Sequence, residues 1–456
     1  MKGKSTIIKS MISILMSACI LCACGSGDNS ADEPARPERT PELNENGKEE
    51  ITICSTFIGL RLEQAIIDYN AQSSRYEIVP VEAELGSDFD AYRTRIQLEL
   101  TNGEGPDILL PASLQSYYDI VPYVEKGIFV DVTDFLEEQG IVACALNDSD
   151  INVNGRLYGI PETLSISTMV TSEKLAVDNE DWTVETCMQV MRDSGVPVFC
   201  QAPHGWTADQ SGLFILQILG VGNRGLFVDE EQRISSFEQS EFIEMLEFCK
   251  TYADPISQLS LRGRISSGEI AFVNGGIRSF WDFWYYEALF GGNPVYMGRP
   301  TPQGGRNGAG ADDCYYINAA SAHKEGALDF MKFLLSDEQQ QKLMSSMDPR
   351  FPVKQELLET IWKESKEELV GGIEDHQFMT REGATAKPRL MTDEEERFFW
   401  SIVNQTNTAP AASNRWGHEI WDIVEEEAGP FFSGEKTSEE VAEVIDNRVQ
   451  LLLDEK

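Results

Sequence analysis

Residues 50–69 have the sequence EITICSTFIGLRLEQAIIDY, and the spacing of their apolar side chains indicates how the folded part of the chain begins. Apolar and polar residues alternate from Glu50 to Cys54, which predicts a β-strand. After a short loop, Ser55–Gly59, apolar residues recur every three or four positions from Leu62 to Tyr69, which predicts an amphipathic helix. The chain therefore starts its fold with a strand, a short loop and a helix.

The same alternation of strand and helix continues along the chain. Tyr76–Val81 has the pattern of a second strand, Phe89–Leu100 that of a second helix, and Asp107–Leu110 that of a third, buried strand. Short connections between such elements predict a parallel, doubly wound α/β sheet. Ligands bind at the carboxyl ends of the strands in sheets of this kind, so the loops Ser55–Gly59 and Pro111–Gln115 are candidates for a binding site.

The N-terminal residues have the composition of an export signal. Three lysines precede an apolar run from Met11 to Leu21, which is too short to span a membrane as a mature helix. The sequence Leu21-Cys22-Ala23-Cys24 resembles the lipobox of bacterial lipoproteins, and this resemblance implies cleavage before Cys24 and acylation of that cysteine. Residues 1–23 are thus predicted to be a lipoprotein signal peptide; a plain signal peptide with incidental cysteines is the alternative.

Residues 24–49 are predicted to be a lipid-anchored, disordered tether. They are rich in Gly, Ser, Pro, Asn and acidic residues, and they lack apolar periodicity. The mature protein is therefore expected on the extracytoplasmic face of the cell membrane, held there by its lipid.

The overall composition excludes several classes of function. The 456 residues include 76 acidic and 37 basic residues, which gives a formal net charge of −39. Such a surface repels nucleic acid, so a nucleic-acid partner is not expected. The only long apolar run is the N-terminal one, which argues against a polytopic membrane protein.

Motifs of common enzyme classes do not occur in the chain. The four histidines are isolated, with no HExxH pattern, and no Gly-x-Ser-x-Gly segment is present. Gly304–Gly310 lacks the Lys and Ser/Thr of a phosphate-binding loop, and residues 148–154 lack the bidentate Glu of a calcium loop. We therefore predict a protein that is not an enzyme and that needs no cofactor or metal.

The mature chain contains six scattered cysteines besides Cys24, with no CxxC pair among them. An extracytoplasmic compartment permits disulfides, but the sequence does not assign pairs, so the disulfide state stays open at this point. The six are Cys54, Cys144, Cys187, Cys200, Cys249 and Cys314.

Several short signatures occur in a fixed order along the chain. The signatures are Gly105-Pro106-Asp107-Ile108, Asn154–Pro161, Ser267–Phe272 followed by Gly275 and Trp281, Ile317–Ser321, and Ala327–Leu334. Together they resemble the extracellular solute-binding proteins of ATP-binding-cassette (ABC) importers, of the maltose- and oligosaccharide-binding type, from about Glu50 to the C-terminus.

This resemblance implies an α/β fold of the two-lobed, periplasmic-binding-protein type (type II), with an interlobe cleft and crossover hinges. Residues 50–162 plus 314–360 would form one lobe, and residues 163–313 plus 361–456 the other. The crossings would fall near Pro161–Ser165, near Ala311–Cys314 and after Pro352. Residues 353–413 form a longer stretch than in the maltodextrin-binding relatives, and the packing of this stretch is left open.

The resemblance also implies a function without catalysis. A monomer would capture a carbohydrate of the oligosaccharide class between its lobes and deliver it to the transmembrane subunits of an ABC permease. Three alternatives remain open from the sequence: the same fold binding a peptide or other small solute, a surface lipoprotein that degrades glycans, and a sensor or adhesin.

A sugar site needs aromatic rings for the apolar C–H faces of the sugar and polar groups for its hydroxyls. Three tryptophans correspond approximately to ligand-facing positions of the family, two aromatic or hydroxyl residues follow strands of the first sheet, and three charged residues could bind hydroxyls. The predicted ligand-binding residues are Phe57, Ser113, Glu162, Trp206, Arg278, Trp281, Asp282 and Trp416.

Overall fold

A computed structural model describes most of the chain after the predicted tether. The described residues are 43–83, 88–114, 120–146, 151–202, 206–255, 259–311, 313–344, 349–370, 378–379, 385–404 and 417–455. The predicted signal peptide, Cys24, most of the tether and Trp416 lie outside these residues.

Most strands of the described part are short, and four of them have seven or more residues. In chain order they are β1 (Glu49–Ser55), β2 (Tyr76–Glu82), β3 (Ile108–Leu109), β4 (Asn152–Val153), β5 (Arg156–Leu157), β6 (Gly159–Pro161), β7 (Thr163–Ser172), β8 (Val198–Cys200), β9 (Val228–Asp229), β10 (Ile234–Ser235), β11 (Ile270–Ile277), β12 (Pro294–Tyr296), β13 (Arg299–Thr301), β14 (Gly304–Arg306), β15 (Gly308–Ala311), β16 (Cys314–Ile317), β17 (Phe351–Pro352), β18 (Phe378–Met379) and β19 (Thr385–Ala386).

Helices alternate with these strands and then dominate the C-terminal region. They are α1 (Leu60–Gln72), α2 (Phe89–Thr101), α3 (Val121–Glu125), α4 (Thr133–Glu137), α5 (Ala143–Leu146), α6 (Val184–Ser194), α7 (Ala208–Leu219), α8 (Ser240–Thr251), α9 (Leu261–Ser266), α10 (Trp281–Phe290), α11 (Lys324–Leu334), α12 (Asp337–Met344), α13 (Gln355–Val370), α14 (Asp393–Val403), α15 (Gly417–Phe432) and α16 (Ser438–Glu455).

The first sheet has the strand order β2-β1-β3-β16-β6. Its first three strands are parallel, as the strand–helix alternation predicts. Strand β16 is antiparallel to both of its neighbours, so the complete sheet is mixed. The helix between β1 and β2 buries the apolar stripe that the sequence indicates, from Leu62 to Tyr69. Asp88 caps α2 by accepting hydrogen bonds from two backbone N–H groups.

The second sheet is built around β7, the longest strand. Its order is β12-β7-β11-β8, and β15 and β17 also pair with β7. The chain changes from the first sheet to the second between Pro161 and Thr163 and returns between Ala311 and Cys314. Strand β17 belongs to the second sheet, although it lies within the segment 314–360 that the family resemblance places in the first lobe. The lobe boundaries stay a prediction.

Two clusters of buried side chains hold these layers together. The first cluster surrounds the first sheet and extends over one part of the second sheet, with Ile51, Ile108 and Phe330 among its members. The second cluster lies between the second sheet and the helices α6, α7, α8, α15 and α16, and it contains Trp182 and Phe272. Burial of this much apolar surface is the main driving force for such a fold.

The segment whose packing the sequence left open contributes aromatic side chains to the first cluster. Phe399 of α14 contacts the rings of Phe280 and Phe351, and Trp362 of α13 contacts Phe280. The indole N–H of Trp284 donates to the backbone carbonyl of a residue in the loop before α14. Among the described residues, none of the helices is both long and apolar enough to cross a membrane.

Candidate functional site

Three of the predicted site residues follow strands at one edge of the first sheet. Phe57 follows β1, Ser113 follows β3 and Glu162 follows β6. Strands β1 and β3 are parallel, and β6 has the same direction because both β3 and β6 are antiparallel to β16. These three residues therefore lie at the carboxyl edge of the sheet, where binding sites of α/β proteins form.

Two further predicted residues lie at the corresponding edge of the second sheet. Trp206 follows β8 and Trp281 follows β11, and these two strands are parallel. Ile277, at the carboxyl end of β11, pairs with Ile166 near the start of β7, only a few residues after the chain leaves the first sheet. The carboxyl edges of both sheets therefore converge on the segment that contains Glu162.

The two tryptophans expose part of their indole rings. Trp206 is 38 % exposed and Trp281 is 42 % exposed. Each indole is supported by another ring, because Trp206 has an edge contact with Phe214 at 5.6 Å and Trp281 has a tilted contact with Trp284 at 5.9 Å. Thr207 next to Trp206 begins α7 with a capping box, which fixes the backbone at this point.

The loop after β1 exposes the aromatic ring of Phe57 to solvent, whereas the turn after β3 buries the hydroxyl of Ser113. Phe57 is 73 % exposed. Ser113 is buried, and its hydroxyl donates to the backbone carbonyl of Leu110 at 2.6 Å. The hydroxyl of Ser113 therefore stabilises the turn, and the ring of Phe57 is the group that solvent and ligand can reach.

Glu162 is buried among polar partners. It is 3 % exposed, and its carboxylate accepts hydrogen bonds from the guanidinium of Arg61 and the hydroxyl of Tyr315. Arg61 also binds Asp313 at 3.0 Å. Burial raises the pKa of Glu162, and the positive charge of Arg61 opposes this shift. The carboxylate is thus engaged inside the protein by partners from distant parts of the chain.

Asp282 and Arg278 form the start of α10. The carboxylate of Asp282 accepts from the backbone N–H groups of Arg278 and Ser279, at 2.7 and 3.0 Å. The backbone carbonyl of Arg278 accepts from the N–H of Phe351 at 2.6 Å, which ties β17 to this turn. Arg278 is exposed. Asp282 therefore positions Trp281, and the guanidinium of Arg278 is accessible to a ligand.

Arg61 and Asp313 are the residues that sequence reasoning missed at this edge. The position of Arg61 in the first turn of α1 is a sequence signal. The positive end of the helix dipole repels a cation there, so such a cation indicates that anions lie nearby. For Asp313 no such signal existed, since acidic residues are abundant throughout the chain.

The six cysteines of the described residues are free thiols, and all are buried. Burial raises the pKa of Cys54 to about 11 and that of Cys200 to about 12. In the part of the chain that the structure describes, no group of three or more His, Cys, Asp or Glu side chains could hold a metal ion.

A cavity of about 670 Å³ lies elsewhere on the first sheet. Its lining includes Tyr69 at the C-terminal end of α1, Tyr76 at the start of β2, and Asp329 and Lys332 of α11. Arg61 is at the opposite end of α1. The cavity is therefore separate from the edge on which the exposed indoles lie.

The two sheets, the crossings between them and the aromatic residues at their converging edges define a two-lobed α/β binding protein. The chain belongs to the bacterial extracellular solute-binding proteins, because the model of that family matches residues 64–370, about two thirds of its length. The predicted family and fold are thereby confirmed. Proteins of this family bind solutes outside the cytoplasm.

The match between this chain and known structures of the same fold extends over nearly the whole length of those structures. A solute-binding protein of an ABC transporter from Thermotoga lettingae, bound with α-D-tagatose, is 16 % identical with a TM-score of 0.52, over 89 % of this chain and 99 % of that one. The GacH receptor of Streptomyces glaucescens, solved unliganded and with acarbose, is 14 % identical with a TM-score of 0.53, over 89 % and 98 %.

A third similar structure is an ABC substrate-binding protein from Listeria monocytogenes in complex with cycloalternan. It is 16 % identical with a TM-score of 0.52, over 89 % of this chain and 99 % of that one. Among curated proteins, none matches this chain in sequence. At these identities the similarity establishes the fold.

Proposed function

We propose that this protein is the lipid-anchored solute-binding component of an ABC importer for a carbohydrate, and that this carbohydrate is an oligosaccharide. It captures the sugar between its two lobes and delivers it unchanged to the transmembrane subunits of a permease. It acts as a monomer on the extracytoplasmic face of the membrane and has no catalytic step. Residues 50–162 plus 314–360 and residues 163–313 plus 361–456 are the proposed lobes.

The exposed indoles of Trp206 and Trp281 are the observation that carries this proposal. Both lie at the carboxyl edge of the second sheet, and the exposed ring of Phe57 lies at the edge of the first sheet that converges on it. A ligand that covers exposed aromatic side chains at such an edge removes their apolar surface from water, which favours binding. Aromatic rings of this kind stack on the C–H faces of sugars, which favours a carbohydrate over a charged solute.

Polar groups at the same edges supply contacts for sugar hydroxyls. Arg278 is exposed three residues before Trp281, and the carboxylate side chain of Asp313 is 40 % exposed at the returning crossing. Glu162 and Asp282 contribute indirectly, because their carboxylates already accept hydrogen bonds within the protein. Trp416, outside the described residues, is proposed as a third stacking ring.

The ligands of the similar structures support a sugar. Their descriptions name α-D-tagatose, acarbose and cycloalternan. The lipobox-like sequence that ends at Cys24 supports the lipid anchor. A ligand that contacts both lobes binds the closed state more tightly than the open state, and this difference in affinity is what shifts the population toward closure.

Binding to a panel of glycans tests the proposal directly. The purified protein is titrated with mono- and oligosaccharides while its tryptophan emission and melting temperature are measured. A cognate oligosaccharide is expected to change the emission and to raise the melting temperature with increasing concentration, because ligand binds the folded state alone. A peptide or polyamine that raises the melting temperature when no glycan does would contradict the carbohydrate assignment, and turnover of a glycan would contradict the absence of catalysis.

A further inference from the structure

The two segments in which the chain changes sheets lie side by side and are bonded to each other. The backbone N–H of Glu162 donates to the carbonyl of Asp313 at 2.8 Å. The backbone N–H of Asp313 donates to the hydroxyl of Thr163 at 3.0 Å, and that hydroxyl donates to the carboxylate of Asp313 at 3.0 Å. The outgoing and returning crossings therefore form one unit.

Arg61 joins this unit to the first sheet. Its guanidinium contacts the carboxylate of Glu162 on the outgoing crossing and that of Asp313, at 3.0 Å, on the returning crossing. Tyr315 also donates to Glu162. A guanidinium can hold two carboxylates at once because its five N–H donors are fixed in one plane. One side chain of α1 thus binds a carboxylate from each crossing.

The segment before β17 is attached to the same place. The side-chain amide of Gln340 in α12 donates to the carbonyl of Glu162 at 3.0 Å, and its side-chain oxygen accepts from the N–H of Val353 at 3.0 Å. Gln340 is buried. Each passage of the described chain between the sheets is therefore bonded, directly or through one side chain, to Glu162.

A buried ion pair costs desolvation, so it is weak evidence for added stability. Its geometry here suits another role, because its partners belong to the segments about which the two lobes can rotate relative to each other. We infer that Arg61 is a positioning residue for solute capture: it holds both crossing segments against α1 and restricts the range of opening before solute binds. This inference rests on the proposed function in so far as capture involves closure of the lobes.

Restriction of the unliganded protein increases affinity, because less conformational freedom is lost on binding. Replacing Arg61 by Gln removes the charge that joins the crossings. The Arg61→Gln variant is expected to have a broader distribution of opening without ligand and an affinity for the best glycan that is about tenfold weaker. The separation of the lobes with ligand bound is expected to match that of the unaltered protein.

Opening is measured on the full chain as the distance between spin labels at exposed positions on the two sides, Thr101 of α2 and Thr251 of α8. Arg75→Gln is the matched control, because Arg75 binds both carboxylate oxygens of Glu325, at 2.7 and 3.1 Å, on the first sheet and away from the crossings. This control is expected to change neither the distance distribution nor the affinity.

Asp313→Asn is the second variant, because it weakens one contact of Arg61 and leaves Glu162 with its partners. It is expected to change both measurements in the same direction by a smaller amount. Unchanged distance distributions in Arg61→Gln and Asp313→Asn would overturn the inference, and so would a failure of both variants to fold, which would make the cluster a requirement for folding. If the unaltered protein binds no glycan, the proposed function fails, whereas the distance distributions without ligand still decide the role of Arg61.

Discussion

The carboxylate of Asp282 accepts a hydrogen bond of 2.7 Å from the backbone N–H of Arg278, four residues before it. The turn closed by this bond is the one from which Trp281 projects. Because the carboxylate also accepts from the N–H of Ser279, it binds two backbone donors of the turn that leads into the helix. A residue that looks like a ligand for sugar hydroxyls therefore acts first to close the turn before the helix that carries an indole.

The carboxylate of Asp282 is expected to give a measurable pH dependence of stability. Burial raises the pKa of Asp282 above its ordinary value, with the two backbone N–H groups opposing the shift. The folded state therefore binds this proton more tightly than the unfolded state, and the resulting stability is lost as the pH rises through the raised pKa. Asp282→Asn removes the titration and keeps an oxygen that accepts. The free energy of unfolding of this variant is measured by urea denaturation. Relative to that of the unaltered protein, it is expected to increase as the pH rises above 4.

The control for this experiment is Asp282→Ala, which removes the acceptor as well as the charge. Loss of this acceptor leaves two backbone N–H groups without their bonds and costs about 1–3 kcal/mol, so this variant is expected to be less stable at every pH. A difference between Asp282→Asn and the unaltered protein that is constant with pH would show that the carboxylate titrates normally.

The sequence predicts the first elements of the fold because they are local. The elements from β1 to β3 are confirmed, since each depends on apolar spacing within a few residues. The antiparallel strand β16 was not predicted, because it pairs with residues far away in the chain. The engagement of Glu162 could not be predicted for the same reason: Arg61 and Tyr315 are 101 and 153 residues away from it.

The indoles of Trp206 and Trp281 are expected to carry much of the free energy of sugar binding. Truncation of one stacking ring removes about 1–2 kcal/mol of contact, which corresponds to an affinity about tenfold weaker. Isothermal titration of Trp206→Ala and Trp281→Ala with the cognate glycan measures this loss. Trp421→Ala is the control, because Trp421 packs against the second core and is expected to leave the affinity unchanged. Normal affinity in both site variants would contradict the assignment of this edge.

The six buried thiols are expected to resist modification in the folded protein. Cys54 and Cys200, with pKa values of about 11 and 12, carry almost no thiolate at pH 8. Incubation with a maleimide at pH 8, followed by mass spectrometry, is expected to give no adduct at the six positions without denaturant and six adducts in guanidinium chloride. A mass lower by two hydrogens before denaturation would show that a pair of these cysteines forms a disulfide instead.

The proposed lipid anchor depends on Cys24. Cys24→Ala removes the thiol that would be acylated, so the protein is expected to move from the membrane fraction to the soluble extracytoplasmic fraction of producing cells. The same variant is also expected to incorporate no clickable palmitate analogue. Cys22→Ala, which changes a neighbouring cysteine in the predicted signal, is the matched control and is expected to keep both the fraction and the label. Labelling of Cys24→Ala would place the lipid at another residue.

Gly275 is required by a close approach between β11 and α10. A Cβ atom at this position would lie 1.9 Å from the hydroxyl oxygen of Tyr286, whereas one at Gly276 would have no contact closer than 3.7 Å. Gly275→Ala is therefore expected to displace Tyr286, whose hydroxyl donates to the carbonyl of Gly276 at 3.2 Å, and to lower the free energy of unfolding by about 1–3 kcal/mol.

Gly276→Ala is the matched control, with the same chemical change in the same strand, and is expected to differ from the unaltered protein by about 0.5 kcal/mol or less in urea denaturation. Since α10 begins at Trp281, displacement of Tyr286 within that helix is also expected to move the indole and to weaken glycan binding in Gly275→Ala alone. Equal stability of the two alanine variants would mean that β11 and α10 can separate without cost, and the indole would then not be held rigidly at the edge of the sheet.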